Sequence, residues 1–421
     1  MFVLRQINNK INTMVASMSV ICLMLFMTIS ILSSSLALRN TMQKDLIEMT
    51  PVDLNLYKTA NLPETYTRYG REVTTTKEQR EDSKIPIVET LKNNGLDMNN
   101  LKDVTEISVY ALNELTWEEF FGDKIEEIRE IFPMLQYSTA EQIVKISDYN
   151  KIAELYGIEQ YELKDDEYIM ICDFESMEEV RNKVLKDGSN PLIIAGKEYN
   201  TKYNECKDGF IVMSTSHTNT GIILVPDDCP LTEDMKEQQL LVANYNANTE
   251  EEKEKIEATF TGDDSGLIQN LANQGLNIDG MTKISIIESS VGIATIVIFI
   301  AIYLGIIFLI ASSAILALKQ LTDSSDNKQR YTILRKIGCD ERMINKSLFR
   351  QIGIFFGVPL ILAIIHSIFG IQFALSMMSG LASKEDLLPS ATATVIIIGV
   401  IYGAYFAATY FGSKNIIKEE E

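Results

Sequence analysis

Several signatures of catalysis are missing from this sequence. No G-x-x-x-x-G-K-S/T phosphate loop occurs, so the chain lacks the glycine-rich cradle with which a protein binds and splits ATP itself. H-E-x-x-H and G-x-S-x-G are absent too. The many carboxylates are scattered, and most read as solvated surface. Cysteine is scarce: of five, Cys22 lies in an apolar run and Cys339 in a basic segment, leaving Cys172, Cys206 and Cys229. Three is an odd number, and the spacings fit neither a disulfide framework nor a zinc pattern. His217, between Cys206 and Cys229, therefore reads as an ordinary surface or core histidine. Internal repeats and low-complexity tracts are also absent.

Charge is missing altogether from four windows, residues 11–38, 289–318, 351–383 and 387–413. Each exceeds the roughly 20 residues that cross a hydrocarbon core. An average of 46% hydrophobic and 23% charged residues conceals them, because the apolar residues are bunched. The expected fold is an α-helical membrane protein with four transmembrane helices, at 14–38, 289–317, 351–372 and 391–412. A large α+β extracytoplasmic domain, residues 39–288, separates helices one and two. The triplet Ser35-Leu36-Ala37 looks like a small-x-small cleavage site, but the apolar run outlasts the roughly 7–15 residues of a signal peptide. A retained anchor is expected.

The remaining charge is segregated. The outer segment carries 49 acidic against 25 basic residues, a local net of −24 in a chain of −20 overall. Residues 318–350, between two apolar windows, hold eight basic residues against four acids. A basic loop beside spans marks the cytoplasmic side. That places Arg5, Lys10, the 318–350 loop, Lys414 and Lys418 inside, with both termini. The amphipathic lead-in 1–13 and the tail 413–421 are then cytoplasmic. The acidic domain and the 373–390 loop are outside.

Within the outer domain, helices are expected at 85–94, 148–156, 176–186 (Ser176 and Glu179 forming a capping box) and 250–259. Strands are expected at 104–111, 168–174, 192–195, 210–214 and 221–226. Residues 267–287 read as a helical extension of span two, interrupted at Gly275 and Gly280. Among the spans, Gly357-Val358-Pro359 predicts a kink. Ala301 and Gly305 have small-xxx-small spacing. Gly399, Gly403 and Ala407 form a close-packing face, for a helix of the same chain or for an oligomer seam. His366 is an intramembrane ionisable group, by default a functional hypothesis; a neutral histidine bonded to a neighbouring helix is the plainer reading. No charged path runs through the spans, which disfavours a carrier of small polar solutes.

Residues 318–350 also read as a helix–turn–helix. Asp326 caps the first helix, with Gln329 completing a loose capping box. Tyr331, Leu334 and Ile337 make a narrow apolar stripe, and Arg335 and Lys336 complement the helix dipole in the last turn. Gly338 suits the left-handed position that ends the helix, and Asp340 can cap the next one. Two readings stand: a solvated loop held by lipid headgroups, and a docking element for a cytosolic partner.

Residues 303–338, YLGIIFLIASSAILALKQLTDSSDNKQRYTILRKIG, resemble the most recognisable signature of the FtsX-like (MacB-like) ABC transporter permeases. FVLRQINNKINTM, DYNKIAELYG and GIILVPDD are similar to that family too. The resemblance is nearest to permeases of bacitracin and antimicrobial-peptide resistance in Gram-positive bacteria. Those usually have more spans, and this chain resembles their second half: one product of a split pair, a truncated gene, or a short version working as a MacB-like dimer. The resemblance implies a non-catalytic membrane subunit, with no cofactor of its own. It would couple a cytosolic ABC ATPase, which carries ATP and Mg, to the outer domain by mechanotransmission. The coupling residues would be Tyr331, Leu334, Arg335, Lys336, Ile337 and Gly338. Further implied partners are the lipid bilayer, a missing permease half or second copy, a sensor histidine kinase, and a cationic peptide or lipid-linked ligand outside; nucleic acid is not among them. The acidic outer domain suits cationic peptides by long-range attraction. Two other functions stay open: a cell-division-type regulator that activates a wall hydrolase, and a receptor without an ATPase.

Overall fold

The computed structural model describes residues 11–68, 71–186, 190–262, 266–377 and 387–418. It divides into two units, residues 44–291 and residues 1–43 with 292–421. Among the described residues, four helices are long and apolar enough to cross a membrane. They are Ile11–Glu48, Lys283–Asp326, Glu341–Met377 and Leu387–Ile417. The chain is thus a multi-pass membrane protein with a mixed-sheet domain between its first and second long helices. The first helix outruns its uncharged window by ten residues because hydropathy is not what ends it. Residues 39–48 are good helix formers, and Pro51 is the first residue that cannot continue.

In the four-helix unit the apolar seam is built from Leu25, Leu309, Phe355, Phe356 and Tyr402, all buried. Polar ties cross it. Ser33 Oγ donates to Thr394 Oγ1 at 3.0 Å, Asn40 Nδ2 to Ser390 Oγ at 3.2 Å, and the Tyr402 hydroxyl to the Phe356 carbonyl at 2.9 Å. Gly305 packs where the small-residue spacing expected contact: a Cβ there would stand 2.7 Å from Leu32. Gly399 and Gly403 do not. Both are exposed, and a Cβ at either meets nothing within 4 Å, while Ala407 is half-buried. Pro359 lies inside the third long helix.

The other unit is organised by one nine-stranded sheet. Its strands are β1 (Leu54–Thr59), β4 (Leu101–Thr116), β5 (Ala140–Lys145), β6 (Glu167–Ile171), β7 (Leu192–Ile194), β8 (Lys197–Thr201), β9 (Ile222–Val225), β10 (Lys236–Tyr245) and β11 (Ile278–Thr282). The order is β11-β1-β10-β4-β5-β9-β6-β8-β7, antiparallel except at β5/β9 and β6/β8. A separate antiparallel pair joins β2 (Thr65–Arg68) to β3 (Arg71–Thr74). All four residues of β9 are buried, which fits a central strand covered on both faces. Helices Ile87–Asn93, Glu250–Thr261 and Leu267–Asn273 pack onto the Leu54, Leu56 and Leu241 side chains. Helix Ile146–Tyr156 sits over Ile169, Ile171 and Val242, and helix Glu175–Leu185 over Met170 and Ile223.

Three local expectations fail here. Residues 210–214 form no strand; Phe210, Ile211 and Met213 are buried loop residues, and the Met213 amide donates to Asn55 Oδ1 at 3.1 Å. The Ser176–Glu179 capping box does not form. The helix starts at Glu175 behind Phe174, because the Asp173 and Phe174 amides are both tied to the Asn219 carbonyl at 3.2 Å. Residues 267–287 are no continuous extension. Helix Leu267–Asn273 ends before Gly275, which is left-handed at φ +77°, and β11 intervenes before the long helix begins at Lys283.

Candidate functional site

The basic loop folds as a short helix set between two long ones. The second long helix runs on to Asp326, so Asp326 closes that helix and the Asp326–Gln329 capping box does not arise. Asn327 (φ −95°, ψ 3°) makes the break without a side-chain cap on the next helix; its side-chain Nδ2 donates back to the Asp323 carbonyl at 2.7 Å. Helix Lys328–Lys336 follows. Gly338 is left-handed at φ +90°, as expected of a terminating glycine. The Gly338 amide donates to the Arg335 carbonyl at 2.9 Å and the Cys339 amide to the Leu334 carbonyl at 3.0 Å. These bonds satisfy carbonyls that a helix end leaves open. The third long helix starts at Glu341, and the Asp340 carbonyl accepts from the Met343 and Ile344 amides.

The expected apolar stripe is split between two tasks. Tyr331 is 1% exposed, and its hydroxyl donates to Gln351 Oε1 at 3.3 Å. Leu334 packs half-buried against the same cluster. Ile337, at 71% exposure, faces away from it. Arg335 also turns inward: Nη1 donates to the Ile417 carbonyl at 2.8 Å, and Nε bonds Glu341. Tyr331, Leu334 and Arg335 therefore fasten the helix to its own bundle. The free surface is Ile333 (58% exposed), Ile337, Met343 (66% exposed), Lys336 and Gly338. Ile333 was missed by reading three-residue steps. The four-residue step from 333 to 337 on one helix face was the available signal.

Two histidines complete the picture. His366 is exposed on the third long helix and lines an apolar cavity of about 880 Å³ with Met18, Cys22, Phe26 and Pro359. His217 stands in the mixed-sheet unit, Nδ1 3.4 Å from Asp173 and Nε2 3.9 Å from Asp45. Asp173, then Asp45 and Glu48, raise its pKa against the opposing effect of burial. It is an acid-paired histidine, half-buried beside the end of the first long helix.

Four candidate spans among the described residues, an inserted mixed-sheet domain and an amphipathic helix–turn between the second and third long helices give the layout of a multi-pass membrane protein. Comparison with known proteins finds similarity to membrane permeases. The chain is 36% identical over 128 residues to the bacitracin export permease BceB of Bacillus subtilis, covering 29% of this chain and 18% of that one. It is 40% identical over 74 residues to the BceB permease of Halalkalibacterium halodurans, 18% of this chain and 11% of the relative. It is 23% identical over 283 residues to the uncharacterised ABC transporter permease YvcS of B. subtilis, 64% of this chain and 39% of YvcS. No family model matches. The relatives are thus ABC transporter permeases, two of them bacitracin export permeases, as the 303–338 signature led one to expect. The matched stretches span no more than 39% of those relatives' own lengths.

Proposed function

We propose that this chain is the membrane subunit of an ABC transporter whose ATP chemistry lies in a separate cytosolic ATPase, and that helix Lys328–Lys336 is where the two meet. The supporting observation is the division of labour in that helix. Its inner face is pinned by Tyr331, Leu334 and Arg335, while Ile333, Ile337 and Met343 are held out of the bundle beside Lys336. A solvated turn needs no such apolar face; a docking helix does, because apolar anchors carry most of an interface's energy. Pinning makes the contact mechanical, since a force on the helix passes to the third and fourth long helices through Gln351 and the Ile417 carbonyl. The orientation follows from the basic loop inside and the acidic domain outside. The bacitracin-export relatives and the −24 charge favour a cationic peptide antibiotic, free or bound to a wall lipid, as the outer domain's ligand.

The test is capture. A photo-crosslinking residue at Ile337, activated in native membranes, should trap a cytosolic subunit that contains a P-loop, identified by mass spectrometry. Ile333→Asp with Ile337→Asp should lose that subunit while membrane insertion is unchanged. Capture of lipid alone, or an undiminished yield from the double variant, would sink the coupling role.

A further inference from the structure

The outer unit contains a cleft of about 620 Å³ between the β2–β3 pair and helix Leu267–Asn273, floored by β1 and β11. That volume is within the roughly 300–1,000 Å³ of small-ligand pockets and admits a short peptide segment rather than a folded partner. Its lining is amphipathic. Tyr57 and Tyr66 supply two aromatic rings, and Gln79, Gln269 and several threonines supply neutral hydrogen-bonding groups. Among the described lining residues, Asp279 is the one ionisable acid or base apart from those tyrosines, and it is exposed.

The wall is built rather than incidental. Gln79 closes the capping box of helix Lys77–Ser83, its Oε1 accepting the Thr76 amide at 2.9 Å. That bond fixes which way the side-chain amide points, and Nε2 lies where a Cβ on Gly275 would come within 2.0 Å. Gly275, left-handed at φ +77°, lets the chain pass that close. On the floor, Asp279 Oδ1 accepts the Gly280 amide at 2.8 Å, which leaves its second oxygen for a ligand.

We propose that this cleft is the outer domain's binding site for a short cationic peptide segment carrying an aromatic side chain, with Asp279 as counter-ion and Tyr57 and Tyr66 flanking the ring. The assignment rests on the reading above that the domain handles peptides, and it narrows that reading to one place and one charge. With no cationic group among the described lining residues, this carboxylate repels a pyrophosphate headgroup and attracts an ammonium or guanidinium. Tyrosine faces attract the same cations and stack on aromatic rings.

The experiment uses the full chain in nanodiscs of neutral lipid and a fluorescein-labelled Lys-Phe-Lys-Phe amide, read by anisotropy at low salt. Saturable binding is expected, with Asp279→Asn weakening it about threefold, as suits a partly exposed ion pair. Asp279→Asn retains an oxygen for the Gly280 amide. Ala272→Trp, which fills the cleft from the exposed helix, should abolish binding, and thermal unfolding of each variant shows that the domain is intact. Inorganic pyrophosphate should not compete. Equal affinity in wild type and both variants would overturn the site while leaving the peptide reading standing. No binding to wild type would overturn both. Competition by pyrophosphate would assign the cleft to a lipid-linked anion instead. The coupling variant Ile337→Asp should bind the probe as wild type does, so a failure of ATPase coupling and a failure of this site are read separately.

Discussion

Arg181 and Glu141 are both 0% exposed and joined by two hydrogen bonds of 2.8 and 3.0 Å. The guanidinium also donates from Nε to the Thr220 carbonyl at 2.6 Å and lies 4.7 Å from the Phe120 ring centroid. Arg181→Met therefore removes both donors from a carboxylate that burial already pushes up in pKa against the pull of Arg181. Breaking one side of a buried pair costs about 3–5 kcal/mol, because the other charge is left uncompensated. In a domain of this size each kcal/mol moves the midpoint by roughly 2–4 °C, so a fall of about 6–20 °C is expected. The chain's single tryptophan, Trp117, has its ring centroid 5.6 Å from the same guanidinium. Its intrinsic fluorescence during heating thus reports on this site in the full chain. Glu141→Leu with Arg181→Met should recover most of the loss, since an apolar replacement of both partners removes the desolvation cost along with the attraction. An unshifted midpoint for Arg181→Met would refute the reasoning, as would a double variant worse than the two singles combined.

Further outcomes follow from neighbouring geometry. His217 has a raised folded-state pKa, so its pairing with Asp173, Asp45 and Glu48 contributes fully below the unfolded value near 6.5 and is lost as pH rises through the folded value. The mixed-sheet domain's melting temperature should therefore fall across that window, and His217→Gln should flatten the fall; an unchanged profile would remove the cluster as its cause. Lys58, wholly buried, donates to the Asp82 and Ile85 carbonyls at 2.6 and 2.7 Å and to Thr90 at 2.9 Å. Lys58→Met should destabilise by about 1–3 kcal/mol by orphaning those acceptors, checked by urea unfolding of the full chain. Gly305→Ala forces a Cβ against Leu32 and should cost about 1–3 kcal/mol of span packing, whereas Gly399→Ala enters open space and should leave the monomer's melting curve unmoved.

Reading this chain from its sequence succeeded where the cause was local and additive. Hydropathy over long windows located the spans, and a left-handed Gly338 followed from its place after a basic helix end. The charged helix expected at 250–259 forms as Glu250–Thr261, and the structure adds a reciprocal Thr249–Glu252 cap in front of it. Failure came wherever a distant partner decided the outcome. Inside the sheet β10 pairs with β1, as in Leu56↔Leu241 across 185 positions of chain. Nothing in KEQQLLVANY announces that neighbour, because a short apolar run fits a strand or a buried helix equally well. Residues 210–214 show the reverse case: an apolar run with strand composition, buried as loop because Asn55 and the core already satisfy it.

Helix Lys328–Lys336 combines both kinds of outcome. Its existence, charge and terminating glycine are properties of the segment alone, so the sequence displayed them. Which of its side chains face outward depends on Gln351 and the Ile417 carbonyl, 20 and 82 positions from the residues they bind. That dependence reassigns the residues rather than the element. Arg335, which looked like a docking charge, is a positioning residue, and its loss would unseat the helix whether or not an ATPase binds there. Charge reversal at Arg335 therefore cannot by itself establish coupling. Substitution at Ile333 and Ile337 can, because those side chains touch little of their own bundle and their replacement leaves the helix anchored. If Arg335→Ala and Ile337→Asp lower ATPase capture equally but only Arg335→Ala lowers the melting temperature, the two roles are separated. If Ile337→Asp melts the bundle as well, the outward face is structural and the docking surface lies elsewhere.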